Sequence, residues 1–283
     1  MQPFPEFAQK NKAFWAYIKL ISEKLGYSER RTHKLRRYTF EEIINLMKDE
    51  NISTSEILDE TSKKETALGR SIVKYLNIRS EIIETHVAPN LMNRNQAKKE
   101  FEKAKKRIKP KCHLPLNKQK REKRHYSYLV GLVNMLTEEA LGGCYFDDNP
   151  RGLTLITQNK KPIRVLSRWM DGAYPSRIDP IAVWEIKEYY GTTTFGSRVA
   201  DGVYETMLDG EELKELEEKE NIKIKHYLIV DDKFTWWDKG KSYLCRIIDI
   251  LNSGLVDEVI FGREILDRWP KIMKSIKVSP RKQ

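Results

Sequence analysis

The segment at residues 181–187 constrains the fold most, because it reads Ile-Ala-Val-Trp-Glu-Ile-Lys and is rich in β-forming residues. Side chains two apart on a strand project to the same face, so Glu185 and Lys187 are expected to lie side by side. Trp184 and Ile186 would then point the other way. Two charges at alternate positions of an apolar strand form either a half-exposed polar face or part of a functional site.

From about residue 122 onward, helical and strand-like patterns of apolar residues alternate along the chain. The predicted elements are, in order, a helix at 122–141, strands at 152–158, 163–169 and 181–190, helices at 195–208 and 211–220, a strand at 222–230, a helix at 239–251 and a strand at 256–261. A three-strand meander that leads into a strand–helix–strand unit predicts the α/β class, with a mixed β-sheet flanked by helices. We assign this domain to residues 125–283.

Residues 1–93 are expected to form an N-terminal helical region. Apolar residues recur at spacings of three and four within residues 14–25, and Thr39 with Glu42 fits a capping box. A third helix is predicted at about residues 65–83. The region is either a DNA-contacting unit of the helix-turn-helix kind or, as we prefer, an ordinary helical bundle. The basic residues of its last helix are Arg70, Lys74 and Arg79.

The net charge of +11 is concentrated in residues 94–124, where fourteen lysines and arginines stand against three glutamates. Such a block attracts polyanions, and nucleic acid is the commonest of these in the cytosol. The alternative is a solvated linker whose lysines serve only solubility. Residues 95–108 could form a charged helix, but Pro110, Pro115 and the scarcity of apolar residues favour an exposed basic arm or linker. The candidate DNA-binding residues of this segment are Lys105, Lys106, Arg107, Lys120, Arg121 and Arg124.

The overall composition argues against several classes of protein. Hydrophobic residues make up 40% and charged residues 33% of the chain, which is enough for a core and favours a soluble fold. No apolar run approaches the ~20 residues of a membrane span, and the first residues lack the apolar core of a signal peptide. The three cysteines are widely spaced, which suits reduced thiols. We therefore expect a cytoplasmic protein that does not enter a membrane.

Asp171 precedes Glu185 by fourteen residues, which is enough for a strand end, a turn and a returning strand. The two carboxylates are therefore expected to meet at one end of a hairpin. With Asp171-Gly172 and Glu185-Ile186-Lys187, the chain resembles the catalytic core of the PD-(D/E)xK nuclease superfamily, and most closely its type II restriction endonucleases. The resemblance covers about residues 122 to 262 and implies a restriction-endonuclease-like core.

The first acidic position has two candidates. Asp171 follows Met170, where the superfamily pattern has proline. Asp179 precedes Pro180, in the reverse order, and lies only six residues before Glu185. Asp171 is preferred, and Asp179 remains the alternative.

Two carboxylates beside a lysine suit a hard divalent cation and a scissile phosphate. Mg²⁺ prefers oxygen ligands, polarises a phosphoryl oxygen and lowers the pKa of its bound water. Asp171 and Glu185 would bind the ion, and Lys187 would orient the attacking water and balance charge on the phosphate. The resemblance further implies the main-chain carbonyl of Ile186 as a ligand, and a glutamate from the preceding helix. Glu139 is preferred for that role over Glu138.

Hydroxyl groups, glycines and an arginine follow the catalytic strand and either contact DNA or form a turn and a helix cap. The candidates among them are Thr192, Thr193, Ser197 and Arg198. Asp231-Asp232 looks like a metal pair but is interpreted as a turn or helix cap, and Trp236-Trp237 are interpreted as core residues in preference to rings that stack on bases.

These features together predict a Mg²⁺-dependent, sequence-specific endonuclease for double-stranded DNA, of the type II kind found in restriction-modification systems. A homodimer is expected, because a two-fold target needs one site for each strand. The alternatives are a repair or structure-specific nuclease of the same superfamily, and a non-catalytic DNA-binding protein.

Overall fold

A mixed β-sheet lies at the centre of the fold in a computed structural model that describes residues 1–29, 32–117, 125–190 and 196–277. The strands are β1 (Leu58–Asp59), β2 (Lys64–Glu65), β3 (Leu155–Gln158), β4 (Lys161–Val165), β5 (Gly172–Tyr174), β6 (Ala182–Glu188), β7 (Lys225–Asp231) and β8 (Glu258–Phe261). The helices are α1 (Lys12–Leu25), α2 (Phe40–Asp49), α3 (Ala67–Ile82), α4 (Ala88–Asn90), α5 (Arg94–Ile108), α6 (Tyr128–Leu141), α7 (Ser197–Glu220), α8 (Lys241–Asn252) and α9 (Arg268–Ile276). The predicted mixed α/β class is confirmed.

The central sheet has the strand order β5-β6-β7-β8. β5 is antiparallel to β6, whereas β6, β7 and β8 run parallel to one another. Helix α7 connects β6 to β7, and α8 connects β7 to β8, as parallel neighbours require. The carboxyl ends of the three parallel strands therefore lie at one edge of the sheet, which we call the carboxyl edge.

Helices cover both faces of this sheet, and the alternation along β6 decides which side chain meets which layer. Trp184 and Ile186 pack in a core with α6 and α9, where the Trp184 and Trp269 rings lie 5.3 Å apart. Glu185 and Lys187 face α7 instead, since the Lys187 ammonium reaches Glu205 of that helix. The predicted division of β6 into an apolar and a charged face is thus present, but the charged face is buried.

The sequence misplaced several elements of this domain. β3 and β4 form a separate hairpin outside the central sheet, and the strand that pairs with β6 is the unpredicted β5, which has only three residues. Residues 195–208 and 211–220 were predicted as two helices, but α7 is continuous through Gly210. A Cβ on Gly210 would lie 2.4 Å from the Leu255 carbonyl oxygen, so this glycine permits close packing and does not end the helix. Helix α9 was not predicted.

The N-terminal helices form a bundle that packs onto α8. Arg79 of α3 is fully buried, and its Nη1 lies 2.9 Å from Asp249 Oδ2 of α8. Lys74 pairs with Glu6 at 2.6 Å, and Arg70 donates to the Glu65 carbonyl oxygen. The predicted capping box of Thr39 and Glu42 begins α2. Because Arg79 is buried, it cannot contact DNA in this arrangement.

The basic segment is a packed helix over residues 94–108, contrary to the expected arm or linker. Ala97, Phe101 and Ala104 are buried in a cluster with residues of α6. A Cβ on Gly131 of α6 would lie 2.4 Å from the Phe101 ring, so this glycine makes room for the helix. A narrow apolar stripe of two alanines and one phenylalanine was obscured by the surrounding charge. None of the helices in the described part of the chain is both long and apolar enough to cross a lipid bilayer.

Candidate active site

Asp171 lies beside Glu185 at the start of the β5–β6 hairpin. Gly172 pairs with Trp184, the Asp171 amide donates to the Trp184 carbonyl oxygen at 3.1 Å, and the Ile186 amide donates to Asp171 Oδ2 at 2.7 Å. The N–H and C=O of one strand residue project to the same side, so the Ile186 carbonyl also points towards Asp171. The hairpin therefore places Asp171 opposite Glu185, with the Asp171 carboxylate held at the Ile186 amide.

Gly172 explains why this approach is possible. A Cβ at this position would lie 2.1 Å from the Trp184 indole, so only glycine lets that ring lie against the backbone next to Asp171. The alternative acid, Asp179, accepts hydrogen bonds from the Thr157 amide at 2.6 Å and the Thr157 hydroxyl at 2.7 Å. Asp179 therefore holds strand β3, and the geometry favours Asp171 as the first acid.

Lys187 is held between two carboxylates. Its Nζ lies 2.7 Å from Glu185 Oε2 and 3.0 Å from Glu205 Oε2, and its side chain is almost completely buried. Burial on its own lowers the pKa of Lys187, but the charges of Glu185 and Asp171 outweigh it, so the pKa is raised above its ordinary value. Lys187 is therefore an ammonium group, suited to orient a water molecule or a phosphate by donating hydrogen bonds.

Arg168 is a second cation of the site that the sequence did not reveal. Its Nη2 lies 2.8 Å from Glu205 Oε2, and its Nη1 lies 2.9 Å from Asp209 Oδ2 and 3.8 Å from Glu185 Oε2. Arg168 is three residues before Asp171 in the chain. The loop that carries Asp171 is thus fastened to both β6 and α7.

Three acids of α7 hold this loop, at spacings that place them on one helix face. Glu205 and Asp209 bind Arg168, and Glu212 accepts hydrogen bonds from the amide and hydroxyl of Ser167. The signal that could have revealed them is the (i, i+4, i+7) spacing of carboxylates beside the apolar residues of the same helix. A stripe of carboxylates on a helix ordinarily predicts a solvent-exposed face, but in this fold Asp209 is completely buried.

The buried carboxyl of Asp209 has an altered acidity. Burial and then the charge of Glu185 raise the pKa of Asp209 to about 7, against the opposing charge of Arg168. Near neutral pH this group is therefore divided between its neutral and charged forms.

Two buried carboxylate oxygens are suited to an additional cation. Within the described residues, Glu185 Oε1 and Asp209 Oδ1 are buried without a hydrogen-bond partner, a state that costs free energy until a ligand binds. The described residues contain no preformed group of three or more His, Cys, Asp or Glu side chains that could hold a metal. Mg²⁺ binds through one or two carboxylates and keeps several waters, so Asp171 and Glu185 fit this ion better than one that needs a full protein cage.

The structure does not bring Glu139 to the site. Glu139 pairs with Arg107 near the C-terminal end of α6, and Glu138 accepts from the Lys111 amide at 3.1 Å. Glu188, at the end of β6, accepts from the Leu129 amide at 2.6 Å and so marks the start of α6 as the end near the site. Ten residues of helix separate Leu129 from Glu139, a distance of about 15 Å. Helical periodicity distinguishes the sides of α6 on which Glu138 and Glu139 lie, but it does not give their distance from the site along the helix axis.

The DNA-binding candidates are scattered. Lys105, Lys106 and Arg107 lie in the C-terminal half of α5. Arg107 pairs with Glu139 near the C-terminal end of α6, whereas Lys105 Nζ lies 4.4 Å from the centre of the Tyr126 ring, just before α6 begins. Ser197 and Arg198 are exposed at the start of α7, close to Tyr189, whose hydroxyl donates to the Arg198 carbonyl oxygen. The candidates Lys120, Arg121, Arg124, Thr192 and Thr193 lie outside the described residues.

The residues at the end of β7 have different roles. Asp232 accepts from the Thr235 amide at 3.0 Å, as a cap does, whereas Asp231 is the last residue of β7 and accepts from the Met92 amide at 2.7 Å. Trp236 is completely buried in the core, and Trp237 packs against the core partly buried.

Two families match successive parts of the chain. Residues 92–276 match a family described as Domain of unknown function (DUF7687). The chain belongs to the DUF7687 family. Residues 1–86 match a second family, described as Domain of unknown function (DUF7690). No curated protein and no solved structure matches the chain.

The DUF7687 region contains every residue of the candidate site and also the basic helix α5. The interval between the two matched regions falls at α4, just before the basic segment. Helix α5 therefore belongs with the α/β region, as its packing against α6 indicates.

Proposed function

We propose that this chain is a Mg²⁺-dependent endonuclease that hydrolyses phosphodiester bonds of double-stranded DNA, as type II restriction enzymes do. The observation that carries the proposal is the placement of Asp171 beside Glu185, with the Lys187 ammonium 2.7 Å from the Glu185 carboxylate. A β5–β6 hairpin followed by α7 and the parallel strand β7 is also the order expected of a PD-(D/E)xK-like core.

Each residue has a distinct role in this proposal. Asp171, Glu185 and the Ile186 carbonyl oxygen would hold the ion, which would supply Lewis-acid polarisation of a phosphoryl oxygen and a more acidic water. Lys187 donates hydrogen bonds to the attacking water or to a non-bridging phosphate oxygen, which balances the charge that develops during hydrolysis. Glu205 keeps the ammonium group in place from the α7 side. Two copies of the chain acting together would cut both strands.

The test is digestion of a sequenced supercoiled plasmid, with Mg²⁺ or with EDTA, by the wild type and by Glu185→Gln and Lys187→Met. Both variants should lose cutting by at least ~100-fold, because each removes a group that acts on the transition state. Lys223→Met, which breaks an exposed pair with Glu217, is the matched control for loss of a lysine. A thermal melt of each variant shows whether it is folded.

The outcomes separate the candidate functions. Discrete fragments support a restriction enzyme, and cutting confined to branched or damaged substrates supports a repair or structure-specific nuclease. An intact plasmid that is retarded in a gel indicates a non-catalytic DNA-binding protein. Folded Glu185→Gln and Lys187→Met variants that cut like the wild type would contradict the residue assignment.

A further inference from the structure

The carboxyl edge of the sheet carries a cationic loop beside the candidate active site. Lys187 pairs with Val230 in the parallel register, and Lys233 follows Val230 by three residues. Strand β7 ends at Asp231, the chain turns at Asp232, whose φ is 119°, and Lys233 begins a helical turn, so Lys233 stays close to the carboxyl end of β7. Lys233 is exposed. An exposed cation at this edge is placed to meet a DNA phosphate near the one at the candidate active site.

The start of α5 is tied to the same edge by hydrogen bonds on both sides of Met92. The Met92 amide donates to Asp231 Oδ1 at 2.7 Å, and the Lys233 amide donates to the Met92 carbonyl oxygen at 2.9 Å. Helix α5 begins two residues later, and Lys98 is exposed within its second turn. The first half of this basic helix therefore lies at the active-site edge, whereas Lys106 is about 12 Å further along its axis than Lys98.

Phe234 is the second unusual feature of the loop. Its side chain is 45% exposed, although the next two residues, Thr235 and Trp236, are buried. Lys239 Nζ lies 5.7 Å from the centre of the Phe234 ring. An exposed aromatic ring between lysines is a contact that nucleic-acid-binding proteins use, because the ring packs on bases or sugars while the ammonium groups hold phosphates. Asp238 is the acidic exception in this turn.

We propose that Lys98, Lys233, Phe234 and Lys239 form a DNA-binding surface, here called the edge surface, that holds duplex DNA on the flank of the scissile phosphate. The proposal deepens the proposed function and depends on it for the identity of the ligand. It assigns the positioning of DNA to the carboxyl edge and not to the Lys105–Arg107 end of α5.

The first test compares two charge reversals in the full chain. One variant carries Lys98→Glu and Lys233→Glu, and the matched control carries Lys109→Glu and Lys111→Glu, two exposed lysines beyond the C-terminal end of α5. Binding of a fluorescent mixed-sequence duplex is measured by anisotropy with Ca²⁺ in place of Mg²⁺, over a range of salt concentrations. The edge variant should bind at least ~10-fold more weakly, and its log Kd against log salt should have a slope lower by about 0.9 for each lysine lost.

The far-end control is expected to lose less than ~3-fold, since its lysines would act only through the long-range field. Equal losses in the two variants, a larger loss in the control, or no loss in either would each overturn the edge surface.

The second test separates the ring from the charges. Phe234→Ala should weaken binding several-fold without changing the salt slope, because a ring contact releases no counterions. Phe234→Trp should restore the affinity. Wild-type affinity in Phe234→Ala would remove Phe234 from the surface.

The binding tests address the edge surface and the plasmid test addresses the nuclease, so either proposal can be refuted without the other. If the wild type binds DNA through the edge surface but does not cut it with Mg²⁺, the nuclease proposal is refuted and the edge surface stands. If the wild type cuts DNA but the edge variants bind DNA as tightly as the wild type, the nuclease proposal stands and the edge surface is refuted. A wild type that neither binds nor cuts DNA refutes both.

Discussion

Arg168 and Glu205 form an ion pair, with 2.8 Å between Nη2 and Oε2, that joins the loop before Asp171 to helix α7. The same Glu205 oxygen lies 3.0 Å from Lys187 Nζ. One carboxylate on a helix thus positions two cations that come from different parts of the hairpin. The position of α7 therefore controls the geometry of the candidate active site.

Replacing Arg168 by Met should impair cutting by at least ~10-fold, because Asp171 loses the anchor of its loop and Glu185 loses a neighbouring cation. Stability should also fall by about 2 kcal/mol, since Asp209 would be left buried without its partner. Arg164→Met is the matched control, because Arg164 pairs with Glu215 of the same helix at 2.9 Å, away from Lys187. Plasmid cutting and urea denaturation measure the two effects. Equal cutting by the two variants would show that Arg168 does not contribute to the candidate active site.

Gly202→Ala should separate activity from stability. An alanine inside a helix ordinarily adds about 1 kcal/mol relative to glycine. Here the new Cβ would lie 2.9 Å from the Tyr189 hydroxyl and 3.3 Å from Lys187 Cδ, both of which are movable side-chain atoms. We expect near-normal stability with cutting reduced by at least ~10-fold, because a displaced Lys187 no longer meets the water or phosphate.

Gly210→Ala on the same helix is the contrasting control. Its Cβ would meet the Leu255 carbonyl oxygen at 2.4 Å, and backbone cannot move aside cheaply. This variant should lose roughly 2 kcal/mol of stability, as expected of overpacking. Normal cutting by a folded Gly202→Ala variant would show that Lys187 does not need this space.

The stability of the fold should fall as the pH rises through the neutral range. Burial raises the pKa of Glu188 to about 7, against the lowering effect of the Val130 and Leu129 amides. Between the ordinary pKa of a glutamate and this raised value, the folded state binds a proton that the unfolded state has released. The contribution is therefore complete at acidic pH and is lost as the pH approaches and passes about 7.

Glu188→Gln keeps an acceptor oxygen for the two amides and cannot ionise. Its free energy of unfolding should exceed that of the wild type by roughly 1–3 kcal/mol at about pH 8, and the difference should shrink towards about pH 5. Denaturation with urea at several pH values measures this, with exposed Glu217→Gln as the control. A difference that grows towards acidic pH would contradict the assigned direction.

Arg79→Met should destabilise the attachment of the N-terminal bundle. Arg79 is fully buried, and its removal leaves Asp249 and the Tyr75 hydroxyl, which donates to Asp249 at 2.6 Å, without their cationic partner. The expected loss is about 3–5 kcal/mol. Lys74→Met, which breaks the exposed pair with Glu6, should cost less than ~1 kcal/mol. Chemical denaturation distinguishes the two, and similar losses would show that burial of Arg79 contributes nothing special.

Features that depend on residues close together in the sequence could be predicted from it. The alternation along β6 placed Glu185 and Lys187 on one face, and the spacing from Asp171 predicted the hairpin. Strand β5 escaped notice because three residues are too few to show an alternation. The α7 partners of Arg168, Glu205 and Asp209, escaped notice because they lie more than thirty residues away and are brought to Arg168 only by the crossover through α7. Helix α5 was misjudged because two alanines and a phenylalanine gave a weak apolar signal among the seven basic residues of the same helix.

Helix α7 connects β6 to β7, and its inner face also carries side chains that surround Lys187, so a change in the helix affects both roles. Sequence variation among descendants of this chain should therefore accumulate in the loops at the carboxyl edge. Insertions or a shift of one turn within α7 would disturb chain connectivity and the surroundings of Lys187 at once, and so should be rejected by selection.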